Sequence, residues 1–114
     1  MLTFDQARTR VARGAALLDQ VAPAWAHAID LGALRLETCG SCILGQLFGD
    51  YLDAYRRIQM LHRYGGAHYG FDVTMEEFLG IRRNNYETLT QAWLEAIADR
   101  VIDREPVMPA QSVV

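Results

Sequence analysis

The two cysteines of the chain form a Cys39-Gly-Ser-Cys42 motif, whose residue types and spacing suit a chemical site better than any other in the sequence. A CxxC pair supplies half of a tetrahedral zinc ligand set. Because the sequence has no second pair, His62 and His68 would have to complete the set, or two subunits would have to share the site. The helix that follows the motif would then have to bring its far end back to its start. Zinc binding is therefore one hypothesis for the motif.

A redox function and a structural function are the other two interpretations of this motif. A thiolate at a helix N-terminus has a lowered pKa, because the helix dipole and the free N–H groups stabilise its charge. The thioredoxin arrangement needs a βαβ context, and the sequence offers at most one extended segment, at residues 34–36. Unpaired cysteine is also among the most buried residue types and packs as a small hydrophobe. We favour this structural interpretation, with Cys42 facing inward and Cys39 in a turn.

Asp50 and Asp53 lie three residues apart, which places both carboxylates on one face of a helix. Such a pair can bind a hard cation or act as an acid and a base. Arg56 and Arg57 follow at helical spacing and can neutralise the pair. Because exposed pairs of this kind are mostly solvated, we interpret the two aspartates as a surface feature.

The sequence contains none of the common motifs of nucleotide-binding or hydrolytic enzymes. A Walker loop, GxGxxG, GxSxG and HExxH are all absent. We therefore predict no catalytic residue and no cofactor, and we favour a protein that is not an enzyme.

Aromatic residues are more numerous than a minimal core requires: five Tyr, four Phe and two Trp. Tyr, Trp and Arg dominate binding hot spots. The glycine-rich loop after residue 64 brings Tyr64, Tyr69 and Phe71 into one region, although Tyr69 and Phe71 can also fold back on the core. An exposed patch of these three rings would bind a protein partner, either a host protein or a second copy in a homodimer.

The residues around the cysteines resemble those of a known group of proteins. The run Cys39-x-x-Cys42-Ile-Leu-Gly-Gln-Leu-Phe-Gly is similar to one in small uncharacterised proteins of actinobacteria and their bacteriophages. Further similar segments occur in the same order along the chain: Trp25, Ile29-Asp30-Leu31, Gly70-Phe71 and Leu89-Thr90-x-x-Trp93. The resemblance implies no activity and no functional residue. It leads to the expectation that the chain is encoded by an actinobacterium or by one of its phages. The lack of a catalytic set leads to the expectation of a small accessory protein.

Composition places the chain among globular proteins of one domain. Its 114 residues are 51% hydrophobic and 22% charged, which suits one modest core and is unlike a disordered chain. All eleven basic residues are Arg, and the net charge is -3, so we predict no nucleic-acid partner. The alternative is a local patch in which Tyr55 and Tyr64 stack on bases. Its arginines would be Arg56, Arg57, Arg63, Arg82 and Arg83.

The chain shows no signal for secretion or for membrane insertion. Asp5, Arg8, Arg10 and Arg13 interrupt its first apolar residues. No window approaches the length of about 18 uncharged apolar residues that a membrane span needs. We therefore expect a cytoplasmic protein that has no membrane partner and keeps its thiols reduced.

Helical periodicity dominates the rest of the chain. Two capping boxes, Thr3-x-x-Gln6 and Thr74-x-x-Glu77, each predict the start of a helix. An apolar row from Tyr86 to Val101 predicts a long final helix.

The widest apolar face spans residues 42–64 and predicts a central, largely buried helix. The glycines within it have two interpretations. Gly45 and Gly49 admit the close approach of another helix backbone, or Gly49 ends one helix and Asp50 caps the next.

We therefore predict a mainly α fold, a small single-domain helical bundle around this central helix with at most one short extended segment. The domain would occupy residues 1–105. Residues 106–114 would form an extended C-terminal tail, because Pro106 and Pro109 end regular structure.

Overall fold

The computed structural model describes residues 2–38, 40–58, 63–80 and 82–104. The α-helices are α1 (Phe4–Val21), α2 (Trp25–Ala28), α3 (Ile43–Phe48), α4 (Tyr51–Arg57), α5 (Met75–Leu79) and α6 (Arg82–Arg104). Residues 63 and 64 are also helical, and 3-10 turns occupy Leu31–Ala33 and Ala67–Tyr69. No strand occurs in the described ranges, so the prediction of a mainly α fold is confirmed.

The first capping box forms as predicted. The Thr3 hydroxyl accepts a hydrogen bond from the backbone N–H of Gln6 at 3.1 Å, and the Gln6 side chain accepts one from the Thr3 N–H at 2.9 Å. These bonds satisfy donors that an uncapped first turn would leave without partners. From there α1 turns one face inward, where Ala7, Val11 and Leu18 are buried.

The two longest helices, α1 and α6, run side by side in the same direction. At one end, the backbone N–H of Leu2 donates to the Asn85 side chain at 3.0 Å. At the other end, Asp19 accepts two hydrogen bonds from Arg100, at 2.8 and 3.0 Å. Because parallel neighbours need a long connection between them, the shorter helices all belong to that connection.

Trp93 of α6 lies at the centre of an aromatic core. Its ring stacks on Phe71 with centroids 5.5 Å apart and makes an edge contact with Trp25 at 5.6 Å. All three side chains are at most 1% exposed, so Trp25 and Phe71 anchor the core together with Trp93. The indole N–H of Trp93 donates to the carbonyl oxygen of Gly70 at 2.6 Å, which holds the loop before α5 against the core.

The predicted central helix over residues 42–64 is wrong in its length. α3 ends at Gly49, whose φ of 91° is the left-handed conformation that glycine adopts at helix ends. Asp50 then caps α4, since its carboxylate accepts the N–H of Asp53 at 3.4 Å. The second interpretation of Gly49 is therefore confirmed. Ile43 of α3 is fully buried, yet the fold is organised by the α1/α6 pair.

The segment between α2 and α3 takes the place of the predicted extended piece. Leu34 and Leu36 are buried and Arg35 between them is exposed, but the segment forms no strand within the described chain. The Gln46 side chain fixes this segment. It accepts the N–H of Asp30 at 2.6 Å and donates to the carbonyl oxygen of the same residue at 3.2 Å.

The predicted tail, residues 106–114, lies outside the described residues, so the domain boundary at residue 105 stays a prediction. Among the helices that the structure describes, none combines the length and the apolar character needed to cross a bilayer.

Candidate protein-binding surface

Cys42 serves as the N-cap of α3. Its Sγ accepts a hydrogen bond from the backbone N–H of Gly45 at 3.3 Å, and the residue is only 2% exposed. Sulfur is a weak acceptor, yet here it occupies the position that an oxygen holds at most helix starts. The inward position predicted for Cys42 is confirmed. Cys39 and His62 lie outside the described residues, so the zinc and thiol alternatives stay predictions.

His68 makes contacts of its own, away from α3. Its ring stacks on Tyr64 with centroids 4.6 Å apart, and its carbonyl oxygen accepts a hydrogen bond from Arg13 at 3.0 Å. Partial desolvation, and after it the charge of Arg13, lowers the pKa of His68. Among the described residues, no group of three or more His, Cys, Asp or Glu side chains is placed to hold a metal ion.

The predicted patch of Tyr64, Tyr69 and Phe71 does not form on the surface. Tyr64 is 52% exposed, but Tyr69 and Phe71 are 6% and 1% exposed. Gly70, with a φ of 75°, turns the chain between them, and both rings pack inward with their centroids 6.2 Å apart. The alternative that Tyr69 and Phe71 fold back on the core is therefore confirmed, and a partner-binding function of the three residues stays a prediction. Of the three residues, Tyr64 is the one that a partner can reach.

A different apolar surface lies on α5. Met75 and Leu79 are 71% and 74% exposed, and Phe78 is 39% exposed. These three residues, which we call the α5 apolar face, have helical spacing and so point to the same side. A short amphipathic helix normally turns such a face to the core. α5 does the reverse, and none of its five residues is buried.

The Glu77 carboxylate attaches the inner side of α5 to Arg10 of α1. Both Nη atoms of Arg10 donate to Glu77, at 2.9 and 2.8 Å, and only 19% and 11% of the two side chains is exposed. These hydrogen bonds are the main cause that lowers the pKa of Glu77. The same carboxylate accepts the N–H of Thr74, which completes the second predicted capping box. A bidentate pair of this kind fixes orientation as well as distance.

Asn85 connects this polar contact to the core. It is 1% exposed, donates to the carbonyl oxygen of Glu77 at 2.8 Å and accepts the N–H of Leu2 at 3.0 Å. One buried amide thus ties α5 to the starts of α1 and α6. Because leaving such a buried group without a partner costs about 1–3 kcal/mol, the network keeps α5 in one orientation, with its apolar face outward.

A groove of about 740 Å³ opens beside the α5 apolar face. Its walls come from α5, α6 and the turn after the first 3-10 helix, and we call it the α5 groove. The lining residues are Leu34, Arg35, Glu37, Phe78, Tyr86, Glu87, Thr90 and Gln91. The Tyr86 hydroxyl donates to Asp72 at 2.9 Å, and the Thr90 hydroxyl donates to the Tyr86 carbonyl oxygen at 2.8 Å. The α6 wall is therefore held in place by the protein's own hydrogen bonds.

Carboxylates predominate among the charges that the structure describes around this groove. Glu37 and Glu87 line it, and Glu76 lies on the adjoining α5. All three are exposed, and none belongs to an ion pair between described residues. Arg35 also lines the groove, and its guanidinium donates to the carbonyl oxygen of Leu34 at 2.8 Å. The described part of this surface thus combines an apolar edge with exposed carboxylates.

Sequence reasoning did not identify this surface. Met75, Phe78 and Leu79 have the spacing of a buried face, so the pattern predicts the opposite orientation. The contact that decides the orientation joins Arg10 to Glu77, 67 residues apart. Nothing local to residues 75–79 indicates that contact.

Comparisons of the chain with models of protein families, with curated proteins and with solved structures found no match. The similarity to actinobacterial and phage proteins therefore stays a prediction, and so does the absence of a nucleic-acid partner.

Proposed function

We propose that this chain is a small cytoplasmic accessory protein that acts by binding another protein at the α5 groove. The observation that carries the proposal is the inverted orientation of α5, which holds Glu77 inward and exposes Met75 and Leu79. Contiguous apolar surface in water is unfavourable unless a partner covers it. A fold that fixes such a surface outward is therefore typical of an interaction site.

The residue types on this surface suit a protein partner. Methionine and aromatic side chains are enriched at protein interfaces, and methionine adapts its shape to the surface it meets. The bond between Tyr86 and Asp72 already fixes one wall of the groove, so binding orders few additional groups there. The groove volume is also in the range of small-molecule sites, but the exposed side chains of Met75 and Leu79 place much of the apolar contact area outside the cavity.

Affinity capture with matched variants tests this function. The tagged protein and a Met75→Ser/Leu79→Ser variant are exposed to a lysate of an actinobacterium, the source that the sequence resemblance suggests. The control variant, Val21→Ser/Leu31→Ser, changes two apolar residues that are 48% and 52% exposed. All four positions are on the surface, so both variants should fold. We expect a protein that the wild type and the control retain and that the Met75→Ser/Leu79→Ser variant loses.

Sedimentation of the purified protein covers the case in which the partner is a second copy. Dimerisation that the Met75→Ser/Leu79→Ser variant loses would support the proposal in its homodimeric form. A protein retained equally by all three baits does not use this surface. If no protein distinguishes the baits and the purified chain is monomeric at every concentration, the proposed function is wrong.

A further inference from the structure

The charges of the α5 groove restrict what can occupy it. Glu37 and Glu87 line the groove against one described guanidinium, that of Arg35, and Glu76 stands beside it on α5. Glu37 and Glu87 are both exposed and belong to no ion pair between described residues, so each can pair with a cation of an occupant. Because the field of an exposed carboxylate beside apolar surface attracts a cation of a partner, an occupant that places basic side chains near Glu37 and Glu87 is favoured.

Two occupants that the chain itself could supply fit this field poorly. Residues 105–114 contain Glu105 and no basic residue, so this segment offers no cation to Glu37 or Glu87. A second copy that docked through the same surface would bring like patches together, because a two-fold interface uses the same residues on both sides. The carboxylates of one groove would then oppose those of the other, and like charges in such contact disfavour association.

We infer that the α5 groove binds a basic amphipathic helix of a partner protein. This inference rests on the proposed function and adds the chemical class of the partner. In helix-in-groove recognition, apolar residues at positions i, i+3, i+4 and i+7 are the anchors. Met75, Phe78 and Leu79 receive these anchors, and Lys or Arg side chains on the flanks of the helix reach Glu37 and Glu87. Their methylene stems pack on apolar surface while the charged ends stay in water.

Two synthetic peptides of about fifteen residues test the inference. Both peptides carry leucine at the four anchor positions. The charged residues at their other positions are Lys and Arg in the basic peptide and Glu in the acidic peptide. Fluorescence anisotropy measures the binding of each labelled peptide to the full chain at low and at moderate salt. The basic peptide should bind more tightly than the acidic one, and salt should weaken its binding.

Variants of the protein show which of its residues bind the basic peptide. Glu37→Gln/Glu87→Gln should lower the affinity for the basic peptide about threefold to tenfold, which is the range expected for the loss of two exposed charge pairs. Met75→Ser/Leu79→Ser should abolish its binding. Asp53→Asn/Asp99→Asn is the matched control, since it changes the net charge equally at exposed positions outside the groove. This control should alter the affinity by less than about twofold, because distant surface charges are screened.

Several results would overturn the inference about the partner's charge, and each can be distinguished from a failure of the proposed function. An equal loss in both charge variants would mean that the general field of the protein, rather than Glu37 and Glu87, selects the peptide. If both peptides bind equally and Met75→Ser/Leu79→Ser abolishes both, the surface binds proteins without selecting charge. If neither peptide binds, the inference fails, and the capture experiment still decides the proposed function. A dimeric wild type with a monomeric Met75→Ser/Leu79→Ser variant would identify a second copy as the occupant.

Discussion

Gly14 of α1 lies against the backbone carbonyl oxygen of Tyr69, in a space that leaves no room for a Cβ. A methyl group at residue 14 would overlap that oxygen and would also meet the Trp93 indole at 3.1 Å. The missing side chain therefore sets how closely α1 approaches the 3-10 turn Ala67–Tyr69.

Gly14→Ala is expected to destabilise the protein, although alanine is favoured over glycine in a helix by about 1 kcal/mol. The Tyr69 carbonyl cannot move without displacing its turn, and overpacking typically costs about 1–3 kcal/mol. Urea titrations measure the net change in the free energy of unfolding. Gly40→Ala is the control, since a Cβ there would meet no atom within 4 Å. A Gly14→Ala protein as stable as the wild type would show that α1 and the turn separate easily.

Gly49 and Gly70 allow backbone strain to be separated from steric overlap. Their φ angles are 91° and 75°, so alanine at either position adds about 1–2 kcal/mol of left-handed strain. A Cβ at residue 49 would meet nothing within 4 Å, whereas one at residue 70 would lie 2.9 Å from the backbone nitrogen of Val11. We therefore expect Gly70→Ala to cost about 1–3 kcal/mol more than Gly49→Ala in urea titrations. Equal losses would mean that the contact with Val11 relaxes freely.

The Arg10–Glu77 pair makes stability depend on pH. Hydrogen bonds from Arg10, more than any other influence, hold the pKa of Glu77 below its usual value in the folded protein. A group whose folded pKa is lowered contributes stability above its unfolded pKa, and this contribution is lost as the pH falls through the folded pKa. We expect the free energy of unfolding to decline on acidification from about pH 4.5, the usual pKa of Glu, and to decline less in Glu77→Gln.

At neutral pH, Glu77→Gln should cost about 1–3 kcal/mol, because the mostly buried Arg10 guanidinium loses its charged partner. Glu95→Gln is the control. Its partner Arg8 is 3.2 Å away, and both side chains are more than half exposed, so this pair contributes little. If the free energy of unfolding of Glu77→Gln falls toward acid pH as steeply as that of the wild type, other carboxylates cause the pH dependence of stability.

Asp19 accepts hydrogen bonds from two side chains that belong to different helices. The Trp25 indole N–H donates at 2.9 Å and Arg100 donates at 2.8 and 3.0 Å. Asp19→Ala should lower the free energy of unfolding by about 1–3 kcal/mol, because it removes the acceptor of an indole that is 1% exposed. Asp99→Ala, at an exposed position of α6, should stay within about 0.5 kcal/mol of the wild type. A similarly small loss in Asp19→Ala would indicate that water replaces the carboxylate.

Local sequence rules predicted helix ends better than the arrangement of the helices. Thr3 and Thr74 cap their helices as predicted, because a capping box depends only on residues within one turn. Gly49 left two interpretations open, since its local sequence suits both a helix interior and a helix end. The structure describes a close backbone approach at another helical glycine, Gly14, which lies against Tyr69. These two residues are too far apart in sequence for a periodic pattern to reveal their contact.

The candidate site could not be predicted for the same reason. Periodicity identifies which residues share a face, but it does not tell which side of a short helix the rest of the protein covers. The bonds of Arg10 and Asn85 to Glu77 decide that for α5, and both come from other helices. Tyr69 and Phe71 show the converse, since the sequence left their side open and the structure buries both, Phe71 against Trp93 and Tyr69 against Phe71.

The parallel arrangement of α1 and α6 affects how the chain can fold during synthesis. Residues 22–81 separate the two helices, so a ribosome completes α1 well before it begins α6. At about 5–20 residues per second this interval lasts about 3–12 s. Throughout it, the face of α1 that carries Val11 and Leu18 lacks α6 as a neighbour. Part of this apolar surface therefore stays uncovered during synthesis, and the core can close only when α6, which carries Trp93, has left the ribosome.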